Sequence, residues 1–248
     1  MSWLPRHPLP MRTVFSTCVL ANFAIEPEAL RRRLPLHLTP DLHADKAYVS
    51  IVIARMEKMR PAFLPRAFGV TYNQVVYRAV VRCGDERGVT FLRSDADNAA
   101  MVAAGNALTF FRFHRADIAW SDAQQGLHFS LQGAAAIEAT YEMRETGLLP
   151  ASRFADVPTA QAFLSELYTA FGAQRQDHRV EVVRIERTPW QSLAIADLGG
   201  RYDAMTSGLL FNASEASLDS IFLVRDLSYR WERLSLELLA GAPSGNHR

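Results

Sequence analysis

The stretch Ser94–Ile118, SDADNAAMVAAGNALTFFRFHRADI, decides how the rest of the chain is read. It predicts a short helix followed by a strand. Ser94, Asp95, Asp97 and Asn98 form a capping cluster ahead of a small apolar face of Ala99, Met101, Val102 and Ala103. Gly105-Asn106 is a left-handed-tolerant pair suited to end that helix. The residues after it alternate. Thr109, Phe111 and Phe113 point one way; Phe110, Arg112, His114 and Ala116 point the other. An arginine and a histidine two residues apart on one strand face suit the wall of a polar pocket. The same pattern suits an edge strand with one solvated face, and the stretch alone leaves both readings open.

Upstream, Val70–Cys83 alternates as a long strand. Asn73, Val75 and Tyr77 share one face, Tyr72, Gln74 and Val76 the other. Gly84–Gly88 makes a hairpin turn, and Val89–Arg93 returns as the partner strand. Ala47–Ala54 (AYVSIVIA) is apolar on both faces and predicts a central strand. Between them MEKMRPAFLPRAFG is broken by Pro61 and Pro65 and reads as a loop, either a lid over a site or a loop pinned by its hydrophobes. Glu26-Pro27-Glu28 opens a helix that runs through ALRRRL, and Arg12–Ala21 reads as a strand before it.

Downstream, Leu127–Gln132 and Ala135–Glu142 predict two more strands, and Thr159–Gly172 (TAQAFLSELYTAFG) an amphipathic helix stopped by Gly172. Arg179–Arg187, Trp190–Asp197 and Ile221–Trp231 read as strands, and Gly199–Asn212 is ambiguous. Many hairpin-joined antiparallel strands with few short helices predict one α+β domain, residues 1–240, around a large curved antiparallel sheet. The tail 241–248, APSGNHR after Gly241, is expected to be disordered.

A formal net charge of +1 argues against a nucleic-acid binder that works by bulk charge. No apolar run approaches the roughly 20 residues that span a bilayer, and the Pro-rich start lacks an apolar signal core, so a cytoplasmic protein is the expectation. Cys18 and Cys83 sit in strand-like surroundings and read as reduced core residues. The histidines show no metal-ligand spacing; there is no serine elbow, phosphate loop or dinucleotide fingerprint, and no cofactor is expected. Only Lys46 and Lys58 are lysines, so imine chemistry has two candidates at most.

Two segments, FAIEPEALRRRLPLHLTPDLHADKAYVSIVIARMEKMRPAFLP and RGVTFLRSDADNAAMVAAGNALTFFRFHRADI, resemble in order and spacing the YqjF-like family, domain of unknown function 2071. The resemblance spans roughly residues 10–235. That family is similar in turn to acetoacetate decarboxylases. This implies a partly closed, cone-like β-barrel with flanking helices and an internal cavity. In the decarboxylases the equivalent of the opening stretch ends in a Phe-Pro-Lys-Lys-like segment, one lysine of which forms the Schiff base. Here Phe111-Arg112-Phe113-His114 stands there, and Asn22-Phe23-Ala24 stands where an arginine is expected in the first strand. An arginine stays protonated and forms no stable imine at neutral pH, so the resemblance implies the cavity without the decarboxylase chemistry.

The candidate site residues follow. Arg112 is expected to clamp a carboxylate and His114 to move a proton. Arg93, Asn73, Tyr77, Tyr72 and Asn98 are expected to add polar groups around the same cavity. Structural hydrogen bonding is the competing role for Arg112 and His114, and helix capping or ion pairing the competing role around Arg93 and Asp95. The expected partner is a small, acidic molecule; an oligomer is expected by analogy with the decarboxylases. An enzyme acting on a small carboxylate or carbonyl compound and a non-catalytic binding protein both fit.

Overall fold

A computed structural model describes residues 7–123, 126–175, 178–188 and 192–238. The first half of the chain builds one wall. Strand β1 (Met11–Ile25) leads into helix α1 (Pro27–Arg31), where Pro27 fixes the first turn and Glu28 faces the positive helix end. The short β2 (Thr39–Pro40) follows, then the long hairpin strands β3 (Ala47–Pro61), β4 (Val70–Cys83) and β5 (Glu86–Ala96). Helix α2 (Ala99–Leu108) delivers the chain to β6 (Phe113–Arg115). Next come β7 (Asp117–Ala123), β8 (Gly126–Gln132) and β9 (Ile137–Tyr141), helix α3 (Val157–Ser165), β10 (Thr169–Gln174) and β11 (Arg179–Arg187). The chain finishes with β12 (Ser192–Ala194), β13 (Arg201–Tyr202), helix α4 (Asp203–Thr206), β14 (Ala216–Trp231) and β15 (Ser235–Leu238).

Strands β14, β1, β3, β4, β5, β10 and β11 hydrogen-bond in that order, and β11 pairs back onto β14, so seven strands form a ring. Most pairings are antiparallel; β5 meets both β6 and β10 in parallel, which makes the large curved sheet mixed. The strands β13, β9, β8 and β7 form a separate four-stranded sheet. One face of the ring carries Cys18, Met56, Tyr72, Val89, Val183 and Tyr229 into a core with α2 and α3 residues. The opposite face carries Val19, Ile51, Val75 and Tyr77 against Phe129, Ile137 and Tyr141 of the four-stranded sheet. A four-stranded sheet does not fit inside a seven-stranded ring, so the first face points inward and the second outward.

Several local expectations change. The segment after Ala54 is not a loop: β3 runs on to Pro61, with a bulge that puts Lys58 at φ +54°, and a 3-10 turn at Arg66–Phe68 leads into β4. The helix predicted over 159–172 stops at Ser165. Thr169–Gln174 is instead a strand paired to β11, because ring closure supplies backbone partners that continued helix would forgo. Leu164, Leu167, Ala170 and Phe171 are all buried, a spacing that helix and helix-plus-strand satisfy alike. Of the Trp190–Asp197 strand, Ser192–Ala194 pairs to β14, and residues 189–191 lie outside the described residues. The tail 241–248 lies outside them too.

Candidate functional site

The opening helix is capped one step later than the acidic cluster suggests. Asn98 is the N-cap, its Oδ1 accepting from the Met101 N–H at 3.0 Å, while Ser94 and Asp95 belong to β5. Nor does Gly105-Asn106 end the helix, which continues to Leu108. Gly105 is there for space: a Cβ on it would sit 2.3 Å from the Phe113 ring. Asn106 works on the next strand, its Oδ1 accepting from Phe113 N and its Nδ2 donating to Phe113 O, each at 2.8 Å.

Thr109–Arg112 is not a strand. Thr109 closes the helix, its N–H and Oγ1 both reaching the Gly105 carbonyl at 2.8 and 2.7 Å. Arg112 then adopts φ +54°, a left-handed conformation that is strained for a side-chain-bearing residue. This kink lets the chain turn and run parallel to β5, with Ser94 opposite Phe113 and Asp95 opposite His114.

The segment 109–113 separates two concavities. On the inward side, beneath α2, lies a cavity of about 190 Å³. Its wall is made by Met56, Met59 and Tyr72 of the ring, Met101 and Leu108 of α2, and Phe111 and Phe113 beyond it. The stretch His7–Leu9 also lines it, held by His7 N–H to Leu108 O and by Leu234 N–H to His7 O at 3.0 Å. Tyr72 is buried; its hydroxyl donates to Gln74 Oε1 at 3.0 Å, and burial, with Asp97 nearby, pushes its pKa up, so it stays a neutral phenol. His7 is 5% exposed, and burial lowers its pKa to about 4 against the pull of backbone hydrogen bonds to His7 and Glu232. The ring is therefore neutral at physiological pH. No sequence signal singled out His7, which reads as part of a Pro-rich lead-in.

On the other side of the segment is a notch of about 380 Å³ edged by Arg33, Arg112, Asn106 and Thr90. Arg112 is exposed there, and Arg33 stacks its guanidinium over Phe211 at 5.0 Å. His114 is exposed and does not line the notch; its Nδ1 lies 3.3 Å from Ser94 O.

The remaining predicted residues fall on both sides of the ring wall. Tyr72 faces the cavity. Asn73, Tyr77 and Arg93 face outward beneath the four-stranded sheet. Arg93 holds the fully buried Asp95 through three contacts of 2.6–3.0 Å. Tyr77 donates to Ala135 O at 3.2 Å. Asn73 grips Asp97 through backbone and side chain at 2.9 and 2.7 Å and accepts from Trp120 Nε1 at 3.1 Å. These contacts tie β4, β5 and the second sheet together behind the cavity wall. Among the described residues no group of three or more His, Cys, Asp or Glu is arranged to hold a metal ion, and no helix is long and apolar enough to cross a membrane.

Solved structures share this architecture. Acetoacetate decarboxylase from Legionella pneumophila superposes with a TM-score of 0.65 at 15% identity, over 97% of this chain and 92% of that one. An acetoacetate decarboxylase-like enzyme from Sphingomonas wittichii gives 0.60 at 11% identity, over 94% of each chain. The enduracididine biosynthesis enzyme MppR complexed with pyruvate gives 0.58 at 13% identity, over 96% and 92%. At these identities the likeness shows an acetoacetate decarboxylase-like fold and no more. No curated protein sequence matches the chain. The sequence model of DUF2071, an uncharacterised conserved protein family, matches residues 13–224, and the chain belongs to that family.

Proposed function

We propose that this protein binds a compact carbonyl or carboxylate compound in the cavity beneath α2, and that any reaction it performs there proceeds without a Schiff base. The observation that carries this reading is the wall at Phe113. The α2–β6 unit, which the decarboxylase resemblance makes the source of the imine lysine, contributes phenylalanines to this cavity, and neither Lys46 nor Lys58 lines it. An apolar wall favours a ligand with few polar groups.

In the enzymatic form of the reading, the substrate sits instead in the notch outside the 109–113 segment, where Arg112 orients an acidic group as a fixed, always charged donor. His114, two residues on, takes up and returns a proton. Tyr72 shapes the cavity; Arg93, Asn73, Tyr77 and Asn98 act indirectly, by fixing β5 and α2. The fold likeness to a pyruvate-bound enzyme supports a small oxo-acid or ketone as the class to try first. The non-catalytic form is favoured by one observation: Arg112 and His114 are exposed and the cavity wall contains neither.

Mass spectrometry of the small molecule that co-purifies with the native chain, followed by turnover assays on it, tests both. Loss of turnover with affinity kept in His114→Ala supports the enzyme. A tightly bound, identified compound that is never turned over supports the binding protein. A protein that binds no small carbonyl or carboxylate compound contradicts both.

A further inference from the structure

We propose that Nδ1 of His7 anchors the ligand of the cavity beneath α2, and that this ligand is an uncharged, mostly apolar compound, best an aromatic ring, bearing one hydroxyl or carbonyl group. This rests on the reading above that the cavity beneath α2 binds a small molecule; it replaces the carboxylate option by an uncharged polar group and extends the class to hydroxyl compounds.

The first support is an unmet hydrogen bond. Of the buried side-chain nitrogen and oxygen atoms in the described lining, Nδ1 of His7 alone makes no hydrogen bond of good geometry, although the ring lies near the backbone of His7 and Glu232. Two other polar side chains of the wall are engaged nearby: Tyr72 with Gln74 Oε1, and Thr109 with Gly105 O. A buried polar atom without a partner is costly and rare in native proteins, and needs an explanation. The second support is conformational. His7 sits at φ +48°, where glycine would be free of strain, yet a histidine is held there by backbone hydrogen bonds on both sides. The position spends strain on presenting an imidazole. The third is the character of the space. It is mostly apolar and of a volume that accepts a benzene-sized molecule, with Nδ1 as a polar atom at its wall.

Ligand class follows from the wall. Four of the chain's seven methionines, Met11, Met56, Met59 and Met101, line the cavity, and Phe111 lies 5.9 Å from the His7 ring, centroid to centroid. Thioethers adapt their shape and pack favourably on aromatic rings. A neutral imidazole among them hydrogen-bonds a hydroxyl or carbonyl, whereas a carboxylate would enter without a compensating charge.

The test titrates the full chain with phenol, with toluene, its isostere lacking the hydroxyl, and with pyruvate and benzoate. Phenol is expected to bind at least tenfold more tightly than toluene, and His7→Leu to bring that ratio near one while toluene still binds. A ¹⁵N-histidine spectrum needs no variant and guards against a misfolded one: Nδ1 of His7 is expected to shift with phenol and not with toluene. Equal affinities for phenol and toluene in the native chain, or an Nδ1 signal unmoved at phenol saturation, overturn the proposal. If pyruvate or benzoate binds and phenol does not, the anchor fails and the broader binding reading survives. If none of the four binds, both fail.

Discussion

Gly105→Ala sets two effects against each other, and the structure says which wins. Gly105 lies inside α2, so alanine should gain about 1 kcal/mol of helix propensity. The new methyl, however, would sit 2.3 Å from Phe113 Cδ2 and 2.5 Å from Cε2. Phe113 cannot retreat along the backbone, because Asn106 holds both its N–H and its carbonyl. Its ring can only rotate into the cavity of about 190 Å³ that it lines. Overpacking of this kind costs about 1–3 kcal/mol, and the displaced ring also takes up ligand space. The expected net loss is about 0–2 kcal/mol, which for a chain of this size lowers Tm by up to roughly 8 °C. Binding in the cavity should fall in parallel. Chemical denaturation of Gly105→Ala, Phe113→Leu and the double variant reads the coupling directly. The double variant should be more stable than the two single effects sum to, by about 1 kcal/mol or more. A Gly105→Ala protein that is more stable than the parent and binds cavity ligands unchanged would refute the seating of α2 on Phe113.

Other expectations are equally specific. His7 has a folded-state pKa of about 4 against 6.5 unfolded, so the unfolded chain takes up the proton first as pH falls. Its contribution is therefore complete above about pH 6.5 and is lost towards pH 4, on the order of 3 kcal/mol; the stability difference between the parent and His7→Leu should change over that window and flatten outside it. Asp95→Ala leaves the mostly buried Arg93 without its carboxylate and should cost about 3–5 kcal/mol by urea denaturation, against little for the exposed Asp117→Ala. Arg112→Gly relieves the left-handed backbone while adding chain entropy, so stability should change by less than about 1 kcal/mol, whereas affinity for small carboxylates should fall. Unchanged carboxylate affinity would remove Arg112 from the site.

The strands were the legible part of this fold. β3 and β4 announce themselves by apolar runs and alternation, and Gly84–Gly88 marks their neighbouring hairpin. Ends were less legible, because they depend on distant partners. Thr169–Gln174 becomes a strand because β11 is there to receive it, and Ser94–Asp95 stays in β5 because β4 and β6 pair with it. Alternation alone does not say which of the candidate residues share a concavity. Counting alternation from Thr109 assumes extended backbone, but Arg112 turns left-handed and β6 begins only at Phe113. Tyr72, Asn73 and Tyr77 look like neighbours in sequence, yet the ring wall separates Tyr72 from the other two. His7 carried no local signal at all; it is buried by contacts with Leu108 and Phe111, a hundred residues away.

The central claim is that small molecules enter the space beneath α2, and methionine methyl spectra test it most directly. Met11, Met56, Met59 and Met101 line that space, while Met143 and Met205 pack in the core on the other face of the ring. With ¹³C-methyl methionine, titration with small ketones and phenol should shift the first four signals and leave Met143 and Met205 in place. Shifts confined to Met143 and Met205, or no shift in any cavity methionine at saturating ligand, would contradict it.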